Sequence, residues 1–365
     1  MYNFCVLEQK RLVMDAFADS FVEQYLGNGC PRGMGDRIVD LFSGRVFDKK
    51  QSSELEKKVL NLPAWIDLNR IKEGQKVFTQ YGPEISMLLM FKSLPECYAC
   101  GNGVNVLYQT GKFTYEDDAR LFSKRLLDTA TFVQDVLTEG SFEGQKEGLK
   151  SILRIRTIHA TARQMVLKRN IWDVHKYGQP INQEDMLGTL MAFSISVLQG
   201  LERLGACLSV QEAEDFYYVW RVAGEALGIE RDMIPMNVDE GYELSDCIMA
   251  HQMGGTPEGD LLLKSIIRFV DDKLMLPGFS GGAEEVMKSL IDDKVIQNLP
   301  FKSSSNILVR VVPKFLRFGV LIRHKFAKIL RYQKVTLVCN QALLCMTLIY
   351  FTFLGKGKKH IFDFS

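Results

Sequence analysis

A chain of 365 residues with 47% hydrophobic residues is long and apolar enough to bury a substantial interior. Its 45 basic and 44 acidic side chains leave a formal net charge of +1, with no basic stripe of interleaved aromatics, so nucleic acid is not an expected partner. The opening Met1-Tyr2-Asn3-Phe4-Cys5 lacks the basic start, apolar run and cleavage site of a secretory signal, and an intracellular location, cytoplasmic or membrane-associated, is expected.

The elements read as helices. Leu60-Asn61-Leu62-Pro63 ends an early segment, and Gly82-Pro83 is expected to break the chain before Glu84 to Phe91. Gly101-Asn102-Gly103 and Gly111-Lys112 read as loops. Thr114-Tyr115-Glu116 opens a long helix with Leu121, Phe122, Leu126, Thr129, Phe132, Val133 and Val136 spaced by threes and fours, and Gly140-Ser141 closes it. A second helix is expected from Gly148 to Arg169. A third runs from an N-cap at Asn182 to Leu204, and a fourth from Gln211 to Leu227, stopped by Gly228. Alternating Val-Ile-Thr runs are scarce, so the fold class is all-α, a single large helical domain. Residues 1–84 form its N-terminal part, 85–330 its functional core and 331–365 a basic and apolar tail.

Two segments carry a choice. Cys97 and Cys100 form a C-x-x-C pair, which is half a zinc site or a redox pair, or else two core cysteines. No second Cys or His pair at ligand spacing exists, which favours the core reading. From Val335 to Gly355 no charged residue occurs, a length that suits a membrane anchor, whereas Thr336, Asn340 and Gln341 suit a helix folded back on the domain.

The chemistry concentrates on two helices. Arg125 and Thr129 stand four apart on one face. On the next helix His159 has Arg156 three residues before it and Arg163 four after it, also on one face. An imidazole can ligate iron, flanking guanidiniums can pair with porphyrin propionates, and small Ala160 and Ala162 let a flat macrocycle approach. Taken alone, a histidine among arginines is more often structural. His175, His251, His324 and His360 lack a second ligand at helical spacing, and Met233, Met236 and Met253 read as core residues before axial ligands.

Six stretches in order change that weighing: Ser93-Leu94-Pro95, Leu107 to Phe113, Lys124 to Ala130 (R-L-x-x-T), Leu153 to Arg163 (R-x-x-H-A-x-x-R), Gly178 to Asp185 (G-x-P-x-N-Q-x-D) and Trp220-Arg221 through Ile229. Together the sequence resembles the catalytic domain shared by rubber oxygenases (latex clearing proteins) and the oxygenase of mycophenolic acid biosynthesis. The resemblance implies haem b in a globin-like helical core, His159 as iron ligand, Arg156 and Arg163 as its flanking arginines, and Arg125 and Thr129 near the haem pocket. It implies dioxygen and an apolar, isoprenoid-type molecule as substrates. Two positions depart from the rubber-cleaving pattern. Asp128 stands where those members place a lysine, and Gln109 stands where they carry an acid–base glutamate. An amide cannot exchange protons as a carboxylate does. The expected function is therefore a haem-dependent oxygenase. The alternatives are a haem-binding sensor or carrier without turnover, and a helical interaction module that has lost haem.

Overall fold

The computed structural model describes residues 2–27, 53–109, 114–115, 117–169, 172–206, 208–273 and 281–327 except 305, with 41 and 340 as isolated positions. Regular structure there is helical, and the one β-type contact is an isolated bridge between Cys100 and Met253.

Short polar side chains start the helices by accepting from free backbone N–H groups. Asn3 caps α1 (Phe4–Lys10), Ser53 caps α3 (Glu54–Leu60) and Asp67 caps α4 (Leu68–Leu88), with α2 (Ala16–Gly27) between the first two. The break expected at Gly82-Pro83 does not occur, and α4 runs unbroken across it and across residue 84. A proline inside a helix removes the N–H that would reach the carbonyl four residues back, here that of Thr79. The side chain of Asn340 fills this gap. Its Nδ2 donates to the Gln80 carbonyl at 2.7 Å and lies 3.4 Å from that of Thr79. Arg323 in turn donates to Asn340 Oδ1 and to Glu84.

A π-helical turn, Leu89–Ser93, joins α4 to α5 (Leu94–Tyr98), and α6 (Val104–Gln109) follows. Helix α7 (Ala119–Leu137) begins later than Thr114, because Asp118 accepts from the N–H groups of Arg120 and Leu121. Its Leu121, Phe122, Phe132, Val133 and Val136 are buried, as their spacing requires. Then come α8 (Glu147–Lys168) and a single turn, α9 (Val174–Tyr177). Asn182 caps the next stretch as expected, but that stretch is two helices. Ser194 (φ −114°, ψ −77°) turns its hydroxyl back to the Leu190 carbonyl and separates α10 (Gln183–Phe193) from α11 (Ile195–Leu204). A reciprocal Ser209–Glu212 capping box starts α12 (Val210–Ala226). The remainder comprises α13 (Val238–Gln252), α14 (Pro257–Lys273), α15 (Gly282–Leu290), α16 (Asp293–Gln297), α17 (Ile307–Arg310) and α18 (Val312–Ala327).

Helix α4 lies along α12 at the centre, α7 packs on α8, and α2 and α3 cover the back of α8. Trp220 of α12 stacks on Phe193, with ring centroids 5.2 Å apart, and joins the buried cluster with Phe132 and Phe216. The N-terminal helices are thus part of the same core. No helix among the described residues is long and apolar enough to cross a membrane. The segment 335–355 lies outside the described residues except for Asn340, which is buried and bonded to α4.

Replacing Asn340 with Leu leaves the Thr79 carbonyl, which Pro83 already deprives of its helical N–H, without a partner. We expect a loss of about 1–3 kcal/mol, the cost of an unmet buried polar group. Urea unfolding checks it through a lowered midpoint at unchanged slope.

Candidate functional site

A cavity of about 1420 Å³, above the range of roughly 300–1,000 Å³ usual for small-molecule sites, is lined by residues of α4 to α8 and α10 to α13. One wall is α8, which contributes Ile155, Ile158, His159 and Ala162. Arg125, Leu126, Asp128 and Thr129 of α7 belong to the same lining. The structure thus brings together the R-L-x-x-T and R-x-x-H motifs. Gln109 is not part of the lining. It ends α6, with its amide oxygen buried and unpaired among the described residues.

Arg156 and Arg163 do not line the cavity either. They lie behind His159, buried against α2. Arg156 Nε and Nη2 bond both oxygens of Asp15, at 2.6 and 2.9 Å, and Nη1 reaches the Ala226 carbonyl at 3.0 Å. Arg163 Nε bonds Asp19 at 2.8 Å, and its Nη1 reaches the Ile181 carbonyl at 3.0 Å. Where the sequence reading expected porphyrin propionates, carboxylates of the chain itself occupy these guanidiniums, on the side of α8 that packs on α2. Burial pushes the Asp19 carboxyl up against the pull of Arg163. Gly228, at φ +97°, makes room for the first pair, since a Cβ there would sit 2.3 Å from Asp15 Oδ2.

His159 is different. Its Nδ1 is buried without a hydrogen-bond partner among the described residues. Burial, with help from nearby Arg163 and against Asp15, lowers its pKa to about 4, so the ring is neutral at pH 7 with a lone pair available. A bare divalent ion wants three or four protein ligands, and no group of three His, Cys, Asp or Glu among the described residues could hold one. A macrocycle that brings its own equatorial ligands needs one axial histidine, and His159 on a large apolar wall fits that demand.

The other polar groups here follow from the same desolvation. Arg125, beside Tyr98 and Asp128, is lowered to about 10 by burial. Asp128 sits 3.5 Å from Lys124, one turn back. Cys97 and Cys100 are free thiols in the lining, Cys97 pushed up to about 12 by burial and Cys100 well above the usual thiol range, so neither is an activated nucleophile.

Some polar groups escaped the reading of the sequence. Glu184 is fully buried and holds His251 Nδ1 at 2.6 Å, at the end of α13 rather than in a loop. Asp185 lines the cavity, bonded by Asn182 Nδ2 at 2.9 Å, and burial raises its carboxyl to about 7. Two adjacent acids after a helix N-cap were the available signal, but first-turn acids are ordinary. Lys92 and Glu96, four apart, form a buried pair at 2.5 Å.

Among the described residues the fold and site define a helical protein with a neutral histidine, its Nδ1 unpartnered, on the wall of a large and largely apolar chamber. Residues 99–323 match the family described as "ER-bound oxygenase mpaB/B'/Rubber oxygenase, catalytic domain". The chain belongs to that family. Its fold is similar to that of the structure of latex clearing protein in the closed state, with a TM-score of 0.70 over 97% of this chain and 94% of that one, at 16% sequence identity. No functionally curated protein matches.

Two outcomes are expected. Asp19→Ala leaves Arg163 buried without its carboxylate and should cost about 3–5 kcal/mol in chemical denaturation. His159 holds its proton less well when folded than an ordinary histidine (about 6.5), so the unfolded chain binds the extra proton between pH 6.5 and 4. Its contribution is complete above pH 6.5 and is lost as pH falls toward 4. Between pH 7 and 5 the protein, with no group bound to His159, should lose about 2 kcal/mol more than His159→Leu does. Urea midpoints at the two pH values measure the difference, and parallel curves would sink the assignment.

Proposed function

We propose that this chain is a haem b-dependent oxygenase that acts on an apolar, isoprenoid-type small molecule with dioxygen. The observation that carries the reading is His159, neutral and with its Nδ1 unpartnered among the described residues, on the wall of a large chamber to which Leu, Met, Phe and Ile side chains contribute much of the lining. Membership of an oxygenase family supports it.

His159 would hold the iron, and haem b when bound supplies the redox chemistry that activates dioxygen. The chain does the rest. A ligating histidine must be deprotonated, and burial beside Arg163 keeps it so at neutral pH. Arg163 also ties the turn before α10 to α8 through the Ile181 carbonyl, fixing the wall at that end. Arg125 and Thr129 offer polar atoms to an oxygen-containing group, and the apolar side chains exclude water and receive a hydrocarbon chain. Proton transfer falls to Asp185, because Gln109 is an amide outside the chamber. A carboxyl near pH 7 is suited to both accept and return a proton.

Gln109 and Asp128 also favour a second reading, a haem-binding carrier or sensor without turnover. Oxygen uptake with isoprenoid substrates separates the two readings.

The test is haem content. Wild-type protein should purify with a haem spectrum, and His159→Ala should lose at least nine-tenths of its haem while keeping its helical circular dichroism. Full haem occupancy in the variant would overturn the proposal.

A further inference from the structure

The π-helical turn Leu89–Ser93 carries one residue too many for α geometry, a distortion that recurs at functional sites. Here it brings a polar group to an apolar chamber. Lys92 is fully buried, and its Nζ donates to Glu96 Oε1 at 2.5 Å, to Gln199 Oε1 at 3.1 Å and to Ser196 Oγ at 3.2 Å. Ser196 donates to the other Glu96 oxygen at 2.5 Å, and Ser93 to the Ala192 carbonyl at 2.7 Å. Ser93, Glu96, Ser196 and Gln199 line the chamber, with Lys92 behind them.

Stability does not require this arrangement, because well-packed apolar residues of similar volume commonly equal or better a buried ion pair. Its free valences matter more. Each Glu96 oxygen holds one of the bonds above and keeps a lone pair. Gln199 accepts at Oε1, and its Nε2 has no acceptor among the described residues. One acceptor and one donor therefore stand together in the lining, with Leu89, Met90 and Leu94 on the neighbouring turns. A hydroxyl fits both, donating to Glu96 and accepting from Gln199. A carboxylate would meet the negative charge of Glu96, and a hydrocarbon end would leave both groups unpaired.

We propose that the Glu96–Gln199 corner is a subsite for the hydroxyl end of a long-chain alcohol whose apolar remainder fills the chamber. This rests on the reading of the chamber as the substrate site, not on its cofactor.

Trp220 lines the chamber, so its fluorescence reports occupancy. Haem-free wild-type protein is titrated with decan-1-ol, decane and decanoate. We expect decanol to bind at least tenfold more tightly than either of the others. Gln199→Met, of similar volume, removes the donor while leaving the Lys92–Glu96 pair, and should cut that preference by about tenfold with decane affinity unchanged. Glu96→Gln removes the anion and should bring decanoate within a few-fold of decanol. Equal affinity for decanol and decane, tightest binding of decanoate, no response to any of the three, or a preference that survives Gln199→Met would each overturn the subsite. Failure of the haem reading shows separately, as wild-type protein that purifies without a haem spectrum.

Discussion

The site depends on two arginine–aspartate pairs that hold α8 against α2. Arg156 and Arg163 stand one turn on either side of His159, and Asp15 and Asp19 meet them from α2 and the residue before it. Asp15 and Asp19 are themselves one helical turn apart, so the two rows meet in register. Once both guanidiniums are turned toward α2, the rotation of α8 is fixed, and the histidine between them lies along the chamber. The same arginines reach the Ala226 and Ile181 carbonyls, which couples α8 to the end of α12 and the turn before α10. Four segments distant in sequence thus share one electrostatic joint. Removing either partner leaves an uncompensated buried charge, which explains why such joints tolerate little change.

One cause, desolvation by the surrounding apolar helices, sets the character of the groups around the chamber. It keeps His159 neutral, lowers Arg125, raises the Cys97 and Cys100 thiols out of reach of neutral pH and moves Asp185 toward neutrality. Bases become weaker bases and acids weaker acids in the same environment. The outcome is a largely apolar lining in which the buried titratable groups nearest His159 carry less charge at pH 7 than they would in water.

Much of this was legible in the sequence, for identifiable reasons. Helical periodicity located α7, α8 and α12, because a face that must be buried imposes its spacing directly. Asn182 and Gly228 marked real helix ends, because capping is local. The failures were non-local. Pro83 looked like a break, and it is not one because Asn340, far along the chain, satisfies the carbonyl groups beside it. Arg156 and Arg163 looked like cofactor contacts because spacing puts them near His159, but spacing cannot show that Asp15 and Asp19 wait on the other side. Ser194 divides a stretch whose apolar pattern runs straight through it.

The departures at Asp128 and Gln109 can be understood on the same terms. Neither residue belongs to the joint between α2 and α8, and neither belongs to the buried cluster around Trp220. The scaffold that forms the chamber is therefore separable from the residues at those two positions. Asp128 stands in the chamber lining and Gln109 outside it, so only the first of the two departures changes the lining directly. The packing and the pairing behind His159 hold the architecture, while the polar groups lining the chamber set which molecule it admits. The π-helical turn that presents the Lys92–Glu96 pair shapes the lining of the chamber while α4 and α5 continue on either side, so a polar corner is added to the wall without a break in the scaffold.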